Sequence, residues 1–200
     1  MIEDVHIVVL AAGLSRRFGD RNKLLANLGG EPLAQRSSRL MSRLPNDQRI
    51  AVVPAACEEL KTLYRDTGWS VVQNDNPERG QSSSIRIGTE EAFKNSANTI
   101  IFSLADMPFV TDSHLRKISE ALQDNDAVMS EFSGTTLPPS GFARTTFDKL
   151  LSLSGDKGAK SIFLETKKRT LISLSGEAAI DVDTADDLQC LEQTGVLHGA

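Results

Sequence analysis

Residues 5–23 read VHIVVLAAGLSRRFGDRNK, and this stretch decides the fold that the sequence predicts. Its first six residues are an uninterrupted apolar run rich in β-branched side chains, which is typical of a strand buried on both faces of a parallel sheet. Ligands of open α/β proteins bind beyond the carboxyl ends of such strands. The stretch therefore predicts an α/β protein with a binding loop directly after its first strand.

The loop after this strand combines small residues with positive charge. Ala11, Ala12 and Gly13 have little or no side chain, so their backbone can come close to a ligand and direct amide N–H groups at it. The whole chain is acidic, with 27 Asp and Glu against 22 Lys and Arg, yet four cationic side chains follow this turn: Arg16, Arg17, Arg21 and Lys23. Guanidinium and ammonium groups both bind phosphate oxygens. The loop therefore indicates a polyphosphate site; the alternative is a solvated surface loop.

Two other phosphate-binding loops are excluded by their spacing. The dinucleotide fingerprint needs Gly-x-Gly-x-x-Gly, and this turn supplies only Gly13 and Gly19. A Walker loop needs two glycines before Lys-Ser, and at its nearest match, before Lys160, the glycine positions hold Ser154 and Ala159. The chain therefore has neither a Rossmann dehydrogenase loop nor a P-loop.

The composition favours one cytoplasmic domain. A chain of 200 residues with 40% hydrophobic content can bury one core, so residues 1–200 are expected to form a single domain. A net charge of −5 with one Trp, one Tyr and eight Phe does not favour a nucleic-acid partner. Short apolar runs and an acidic N-terminus indicate no membrane partner and no secretory signal, and two cysteines suit a reducing compartment.

Short β-branched runs alternate with segments of helical period, which predicts a single-domain, Rossmann-like three-layer α/β/α fold with a mostly parallel sheet. Strands are predicted at residues 5–10, 50–53, 70–73, 99–104, 127–130 and 169–174. Helices are predicted from Pro32 to about residue 44, at residues 56–66 and 81–94, from Asp112 to residue 123, and after Thr184. Asp112 and Thr184 are expected to cap the N-termini of their helices.

Two carboxylates occur where predicted strands end. Asp106 follows the buried run at residues 99–104, and Asp183 lies at a strand-to-helix junction. A divalent cation on a nucleoside triphosphate is held by one or two carboxylates together with phosphate oxygens, so both residues are candidate ligands. The alternatives are a turn-forming role for Asp106 and a capping role for Asp183.

The segment at residues 74–84 reads NDNPERGQSSS and places three hydroxyl groups at a predicted helix N-terminus. Such N-termini bind anions and polar groups. Uncharged donors and acceptors, such as those of Asn76, Ser82 and Ser83, are what recognition of a base or a ribose requires. The alternative is that the serines only cap the helix.

No catalytic triad is expected from the histidines. His6 lies in a predicted strand, His114 in a predicted helix and His198 near the C-terminus, and none stands beside a candidate Ser or Cys nucleophile. Each histidine is therefore expected to be structural or solvated.

Five motifs together resemble the molybdenum cofactor nucleotidyltransferases, and their cytidylyl branch in particular. They are LAAGLSRRFG at residues 10–19, GQSSS at 80–84, LADMP at 104–108, GDKGA at 155–159 and DVDTADDL at 181–188. The chain departs from the family pattern at Ala105, where Gly is usual. It also departs at residues 135–142, TTLPPSGF, where Gly-Asn-Pro or Gly-His-Pro usually precedes an acceptor-side strand.

The resemblance implies a fold of the nucleotide-diphospho-sugar transferase type and transfer of CMP from CTP to the phosphate of molybdopterin, with release of pyrophosphate. It implies a requirement for Mg²⁺, held by Asp106 and Asp183, and a catalytic role for Arg17, Lys23 and Asp106. Ala12, in place of a second glycine, would favour cytosine over guanine. The implied nucleotide-binding residues are Leu10, Ala11, Ala12, Gly13, Arg16, Arg17, Lys23, Asn76, Gly80, Ser82, Ser83 and Asp106.

Three alternatives stay open. The acceptor would be a phosphorylated sugar or polyol in another nucleotidyltransferase, and the donor would be GTP in a molybdopterin guanylyltransferase. A non-catalytic accessory protein that serves a molybdenum hydroxylase would bind CTP without releasing pyrophosphate. A molybdenum hydroxylase is also the implied recipient of the finished cofactor.

Overall fold

The computed structural model describes residues 5–15, 18, 22–40, 42, 44–155 and 158–193. Its strands are β1 Val5–Leu10, β2 Asn27–Leu28, β3 Glu31–Pro32, β4 Arg49–Pro54, β5 Ser70–Asn74, β6 Thr99–Leu104, β7 Ala127–Phe132, β8 Thr135–Ala143 and β9 Arg169–Ser173. Its α-helices are α1 Leu33–Ser37, α2 Glu58–Asp66, α3 Gln81–Lys94, α4 Asp112–Ala121, α5 Phe147–Leu151, α6 Ala159–Glu165 and α7 Ala185–Gln193.

Within these residues, seven strands form one sheet in the order β5-β4-β1-β6-β8-β7-β9, and β2 and β3 pair separately. The pairs β1–β4, β1–β6, β4–β5 and β7–β9 are parallel. The strand β8 runs antiparallel to both of its neighbours, β6 and β7. The sheet is therefore mostly parallel, as predicted, and the carboxyl ends of β1, β4 and β6 lie at one edge.

The core has two layers because side chains alternate along β1. Val5, Ile7 and Val9 belong to one apolar cluster, and Val8 belongs to the other. The first cluster includes side chains from α1, α2, α4 and α7, and the second includes side chains from α3, α5 and α6. Helices thus cover both faces of the sheet, which explains why β1 is buried along its whole length. The predicted three-layer α/β/α architecture is confirmed.

Gly88 allows α3 to pack closely on the sheet. A Cβ atom at this position would lie 2.5 Å from Cγ1 of Val8 and 3.3 Å from Cγ2 of Val52. Because protein interiors are packed at crystal density, a larger residue would push the helix away from β1 and β4. Gly88 therefore sets the position of α3 relative to the central strand.

The predicted strands agree with the structure to within two residues, but the sequence does not predict the short strands β2 and β3 or the long strand β8. The turn that joins β7 to β8 consists of Ser133 and Gly134, with φ angles of 50° and 78°. A two-residue hairpin turn of this kind is usually recognised from Asn-Gly. In addition, Pro138 and Pro139 have no backbone N–H group to donate to a β-sheet, so their presence argues against a strand in this segment.

The predicted helix from Pro32 to about residue 44 is too long, since α1 ends at Ser37. Ser37 Oγ donates to the carbonyl of Ala34 at 3.0 Å, and Ser38 Oγ donates to that of Gln35 at 2.8 Å. Hydroxyl groups bonded in this way compete with the helical pattern.

The helices α2, α4 and α7 lie within two residues of their predicted bounds, and α3 matches its bounds in full, whereas α5 and α6 have no counterpart among the predicted helices. The predicted cap of α4 is wrong by one residue, because Thr111 Oγ1, and not Asp112, accepts a hydrogen bond from the N–H of His114 at 3.3 Å. Among the described residues, no helix is both long enough and apolar enough to cross a membrane.

Candidate active site

A cavity of about 420 Å³ opens at the carboxyl edge of the sheet. Leu10 and Leu104, the last residues of β1 and β6, contribute to its wall. Other parts of the wall come from the loop after β1, from the start of α3 and from the segment before α7. Their lining residues are Ala12, Gly13, Leu14, Ser15, Lys23, Leu24, Pro77, Glu78, Gly80, Gln81, Ser84, Asp106 and Asp183.

This cavity collects many of the site residues expected from the sequence, namely Leu10, Ala12, Gly13, Lys23, Gly80, Asp106 and Asp183. Ala11, Asn76, Ser82 and Ser83 are not among its lining residues. Arg16, Arg17 and Arg21 lie outside the described residues, so the structure does not place them.

The loop after β1 stays close to the sheet. The N–H of Ala11 donates to the carbonyl of Val52 at 2.8 Å, and Ala11 is only 1% exposed. Among the described residues, a Cβ atom built on Gly13 would meet nothing within 4 Å. Ser15 has a φ of 48°, and its Oγ accepts a hydrogen bond from the backbone N–H of Lys23 at 3.3 Å. The start and the end of the cationic loop are thus joined, and the backbone at Gly13 remains accessible to a ligand.

Lys23 is buried and paired with two carboxylates. Its side chain is 8% exposed, and its Nζ lies 2.6 Å from Oδ2 of Asp106 and 3.0 Å from Oδ1 of Asp183. A capped 3₁₀ helix, Lys23–Leu25, fixes its backbone. Burial by itself would lower the pKa of Lys23, but the charge of Asp106 and the hydrogen bonds to both carboxylates raise this pKa above its ordinary value. The ammonium group therefore stays charged at neutral pH.

Asp106, Asp181 and Asp183 form a carboxylate cluster whose candidate ligand oxygens lie within 4.8 Å of one another. Asp106 also has a buried Oδ1 atom with no hydrogen-bond partner among the described residues. Although the Asp181 side chain reaches the surface, partial desolvation and then the negative charge of Asp106 raise its pKa to about 7, against the opposing charge of Lys23. Three hard oxygen donors and one unsatisfied buried oxygen fit a divalent cation such as Mg²⁺. The sequence analysis missed Asp181, although it lies in the same motif as Asp183.

Hydrogen bonds fix the two segments that carry these carboxylates. The carbonyl of Asp106 accepts from the N–H of Val182 at 3.0 Å. The Asp187 carboxylate accepts from the N–H groups of Asp183 and Thr184 at 2.9 and 2.7 Å, and Thr184 Oγ1 accepts from the N–H of Asp187 at 3.2 Å. This reciprocal pattern is a capping box for α7. The expected cap at Thr184 is confirmed, and Asp183 is left to point into the cavity.

Two serines at the start of α3 form hydrogen bonds inside the protein. Ser82 Oγ donates to the carbonyl of Gly155 at 2.6 Å, and Ser83 Oγ donates to the carbonyl of Gly80 at 2.8 Å. These bonds connect the loop before α3 to the helix and to the turn near Gly155. Their geometry indicates that the two hydroxyls hold the wall of the cavity in place.

Gln81 and Ser84 line the cavity instead, and the sequence analysis did not select them. Asn74 Nδ2 donates to Ser84 Oγ at 2.9 Å, and Asn74 Oδ1 accepts from the N–H of Asn76 at 2.9 Å. Helical spacing groups Gln81 with Ser84, since residues three positions apart lie on the same face of a helix, but the packing of α3 decides which face meets the cavity.

A second cavity, of about 120 Å³, adjoins the first. The two cavities share Leu10, Gln81 and Leu104. The remaining lining is mostly apolar and includes the segment that departs from the family pattern: Ile85, Phe102, Met129, Thr136, Leu137, Pro138, Ser140, Gly158, Ala159 and Lys160. Gln81 packs tightly at the boundary, because a Cβ atom on Gly158 would lie 2.6 Å from its Oε1.

His114 contacts a serine that is distant in sequence, a pair that the sequence analysis did not foresee. Its Nε2 lies 2.7 Å from Ser130 Oγ, which donates to the carbonyl of Pro139 at 2.7 Å. Ser130 is fully buried, and neither partner is among the residues that line the two cavities. Burial, with a smaller effect of the charge of Lys117, lowers the pKa of His114. The pair is structural and presents no activated nucleophile to either cavity.

Comparison with known sequences identifies the family. A sequence model of the MobA-like NTP transferase domain matches residues 7–170 of this chain. The purine catabolism protein PucB of Bacillus subtilis (strain 168) is 34% identical over 165 residues, which cover 78% of this chain and 78% of PucB. The residues matched by the family model include the loop after β1 and Asp106.

Solved structures share the fold. Rv0371c from Mycobacterium tuberculosis H37Rv is 27% identical with a TM-score of 0.80, over 95% of this chain and 97% of that chain. Its complex with manganese aligns with a TM-score of 0.76 at 24% identity, over 96% and 99% of the two chains. Molybdopterin-guanine dinucleotide biosynthesis protein A from Archaeoglobus fulgidus has a TM-score of 0.73 at 17% identity, over 96% and 99%. With its fold and its sequence in agreement, this chain belongs to the MobA-like NTP transferase family and is a nucleotidyltransferase.

Proposed function

We propose that this chain transfers CMP from CTP to the phosphate of molybdopterin and releases pyrophosphate. The observation that carries the proposal is the meeting of Lys23, Asp106 and Asp183 in one cavity beside the small-residue loop. A nucleoside triphosphate requires a cationic group that binds its phosphates, and it requires carboxylates that hold its metal ion.

In this proposal the nucleotide lies between the loop after β1 and the N-terminus of α3. The backbone at Ala12 and Gly13 approaches the nucleotide, and the triphosphate extends toward Lys23. The positive end of α3, a helix of 14 residues, adds to the attraction for phosphate. Arg16 and Arg17 are proposed to contribute further charge on the basis of their motif. The alanine at position 12, where a second glycine is the alternative, favours cytosine over guanine.

The carboxylate cluster is the proposed metal site. The unsatisfied Oδ1 of Asp106 and the all-oxygen donor set of Asp106, Asp181 and Asp183 fit Mg²⁺ or Mn²⁺. The manganese complex of Rv0371c supports a divalent ion in a protein of this fold. When bound, such an ion would neutralise negative charge on the phosphate oxygens.

The proposed reaction needs no general base. An oxygen of the acceptor phosphate forms a bond to the α-phosphorus of CTP while the bond from that phosphorus to the bridging oxygen breaks, and pyrophosphate leaves with the electron pair. The acceptor phosphate is already an anion at neutral pH, so positioning and charge neutralisation supply the catalysis. Lys23 is proposed to neutralise the leaving phosphates, and the amides around Gly13 to orient them.

The second cavity supports an acceptor with a flat ring whose face can pack on apolar side chains. Its mostly apolar lining offers few partners for the hydroxyl groups of a sugar or a polyol, which would lose hydrogen bonds to water on entry. A phosphorylated sugar or polyol is therefore the second-choice acceptor. GTP is the second-choice donor, in view of the name of the Archaeoglobus protein. An accessory role toward a molybdenum hydroxylase is the second functional class, since the name of PucB gives a pathway and not a reaction.

Pyrophosphate release tests the proposal. The purified protein is incubated with Mg²⁺, molybdopterin and each of the four ribonucleoside triphosphates in turn, and release is expected with CTP. Lys23→Ala is expected to abolish release, whereas Lys61→Ala, which removes a lysine paired with Glu58 on α2, is the matched control. Release with GTP alone would overturn the cytosine preference, and CTP binding without release would favour the accessory role.

A further inference from the structure

We infer that Lys23 and the metal ion compete for one place between Asp106 and Asp183, so that a divalent ion binds there only after a triphosphate has drawn Lys23 away. The inference rests on the proposed function for the identity of the ligand. It goes beyond that function by assigning an order of binding and by giving Lys23 a second role in the nucleotide-free protein.

The ammonium group of Lys23 lies where a metal ion would have to bind. Nζ of Lys23 lies 2.6 Å from Oδ2 of Asp106 and 3.0 Å from Oδ1 of Asp183. Magnesium binds its oxygen ligands at about 2.0–2.1 Å, so an ion held by these same two oxygens would lie within about 4 Å of Nζ. At that separation a dication and an ammonium group repel each other strongly, and both need the same carboxylate lone pairs. The two cations therefore exclude each other.

Because Lys23 is buried, its ammonium group cannot leave the two carboxylates unaided. Its side chain is 8% exposed, and a buried ammonium group that loses its carboxylate partners bears a large desolvation cost. Lys23 can move only if other anionic oxygens are offered nearby. The cavity that holds Nζ is also lined by Gly13, Ser15 and Gly80, and a triphosphate in it would offer such oxygens.

Movement of the Lys23 ammonium group changes which oxygens a metal ion can reach. Once Nζ binds phosphate, Oδ2 of Asp106 and Oδ1 of Asp183 no longer bind the ammonium group, and the buried Oδ1 of Asp106 already lacks a partner among the described residues. Nucleotide and metal ion then each favour the binding of the other. Such coupling is reciprocal, and typical couplings change affinity by about 5- to 150-fold.

A Mn²⁺ titration without nucleotide tests the inference, with free Mn²⁺ measured by electron paramagnetic resonance. Lys23→Met keeps the length of the side chain and removes its charge, and we expect it to bind Mn²⁺ at least about tenfold more tightly than the wild type. Lys61→Met is the matched control, because Lys61 is equally buried and forms a 2.7 Å ion pair with Glu58 outside the cavity; its Mn²⁺ affinity should equal that of the wild type. Adding Asp106→Asn to Lys23→Met should remove the gain.

Equal Mn²⁺ affinity of the wild type and the Lys23→Met variant would overturn the inference. A second measurement uses only the wild type and so does not depend on the folding of a variant: a nucleotide-free crystal soaked in MnCl₂ and examined by anomalous diffraction. We expect no manganese between Asp106 and Asp183 and Lys23 in place. Manganese bound there with Lys23 unmoved would overturn the inference. Neither readout requires turnover, so these results stay distinct from success or failure of the transfer assay.

Discussion

The ion pair between Lys23 and Asp106 is expected to contribute to stability as a buried pair does. Nζ and Oδ2 are 2.6 Å apart, and the two side chains are only 8% and 19% exposed. Removing one partner of a buried pair costs about 3–5 kcal/mol, because the other charge is left without compensation. For Asp106→Asn we expect a smaller cost, about 2–3 kcal/mol, since Asp183 remains 3.0 Å from Nζ.

A double-mutant cycle isolates this pair. Lys23→Met leaves the Asp106 carboxylate without its ammonium partner, and Asp106→Asn leaves Lys23 with Asp183 alone. The double variant removes both charges of the pair, so the coupling free energy should be about 2 kcal/mol. The free energy of unfolding is measured with urea at pH 7, in EDTA and without nucleotide. In thermal unfolding, about 2 kcal/mol corresponds to roughly 4–8 °C in Tm for a protein of this size.

An exposed pair on α3 supplies the control. Lys94 and Glu91 are 3.2 Å apart, and the Lys94 side chain is 70% exposed, so the same cycle should give about 0.3–0.5 kcal/mol. Additivity of Lys23→Met and Asp106→Asn to within about 0.5 kcal/mol would refute the reasoning, because distant or unpaired sites behave in that way.

Three more predictions concern the reaction and its pH dependence. Asp106→Asn should lower pyrophosphate release at least about 100-fold with an unchanged circular dichroism spectrum; near-normal release would show that Asp106 does not act at the phosphates. Because the pKa of Asp181 is raised to about 7 in the folded protein, the free energy of unfolding of the wild type should fall as the pH rises from the unfolded-state pKa toward 7. In urea unfolding of the metal-free protein, Asp181→Asn should therefore be stabilising at pH 8 and not at pH 4. Equal effects at both pH values would contradict this pKa. Gly158→Ala should displace Oε1 of Gln81, which would lie 2.6 Å from the new Cβ atom. In steady-state kinetics this variant should raise KM for the acceptor, while KM for CTP changes less than about twofold. The reverse pattern would place Gln81 on the nucleotide side.

The parts of the site that depend on local sequence pattern could be predicted. The apolar run at residues 5–10 identifies β1, and the strand at residues 99–104 carries Asp106 to the same edge because the two strands are parallel. The cavity accordingly contains Gly13, Lys23 and Asp106 together. Capping at Thr184 was also predictable, since a hydroxyl followed three residues later by a carboxylate is a local signal.

The parts that depend on side-chain direction and on distant pairing could not be predicted. The motif at residues 80–84 offers three serines, and only the packing of α3 decides that Ser84 faces the cavity while Ser82 bonds to Gly155. The contact of His114 with Ser130 exists because α4 packs on β7, which no local pattern reveals. The antiparallel strand β8 is hidden by its two prolines and by a Ser-Gly turn, yet it forms one wall of the second cavity.

The most direct test of the central claim is a crystal structure of the protein with Mg²⁺ and a non-hydrolysable CTP analogue at saturating concentration. We expect the triphosphate in the cavity beside Gly13, Lys23 bonded to its oxygens, and the metal ion on Asp106 and Asp183. A triphosphate bound elsewhere, with Lys23 still between the two carboxylates, would contradict it.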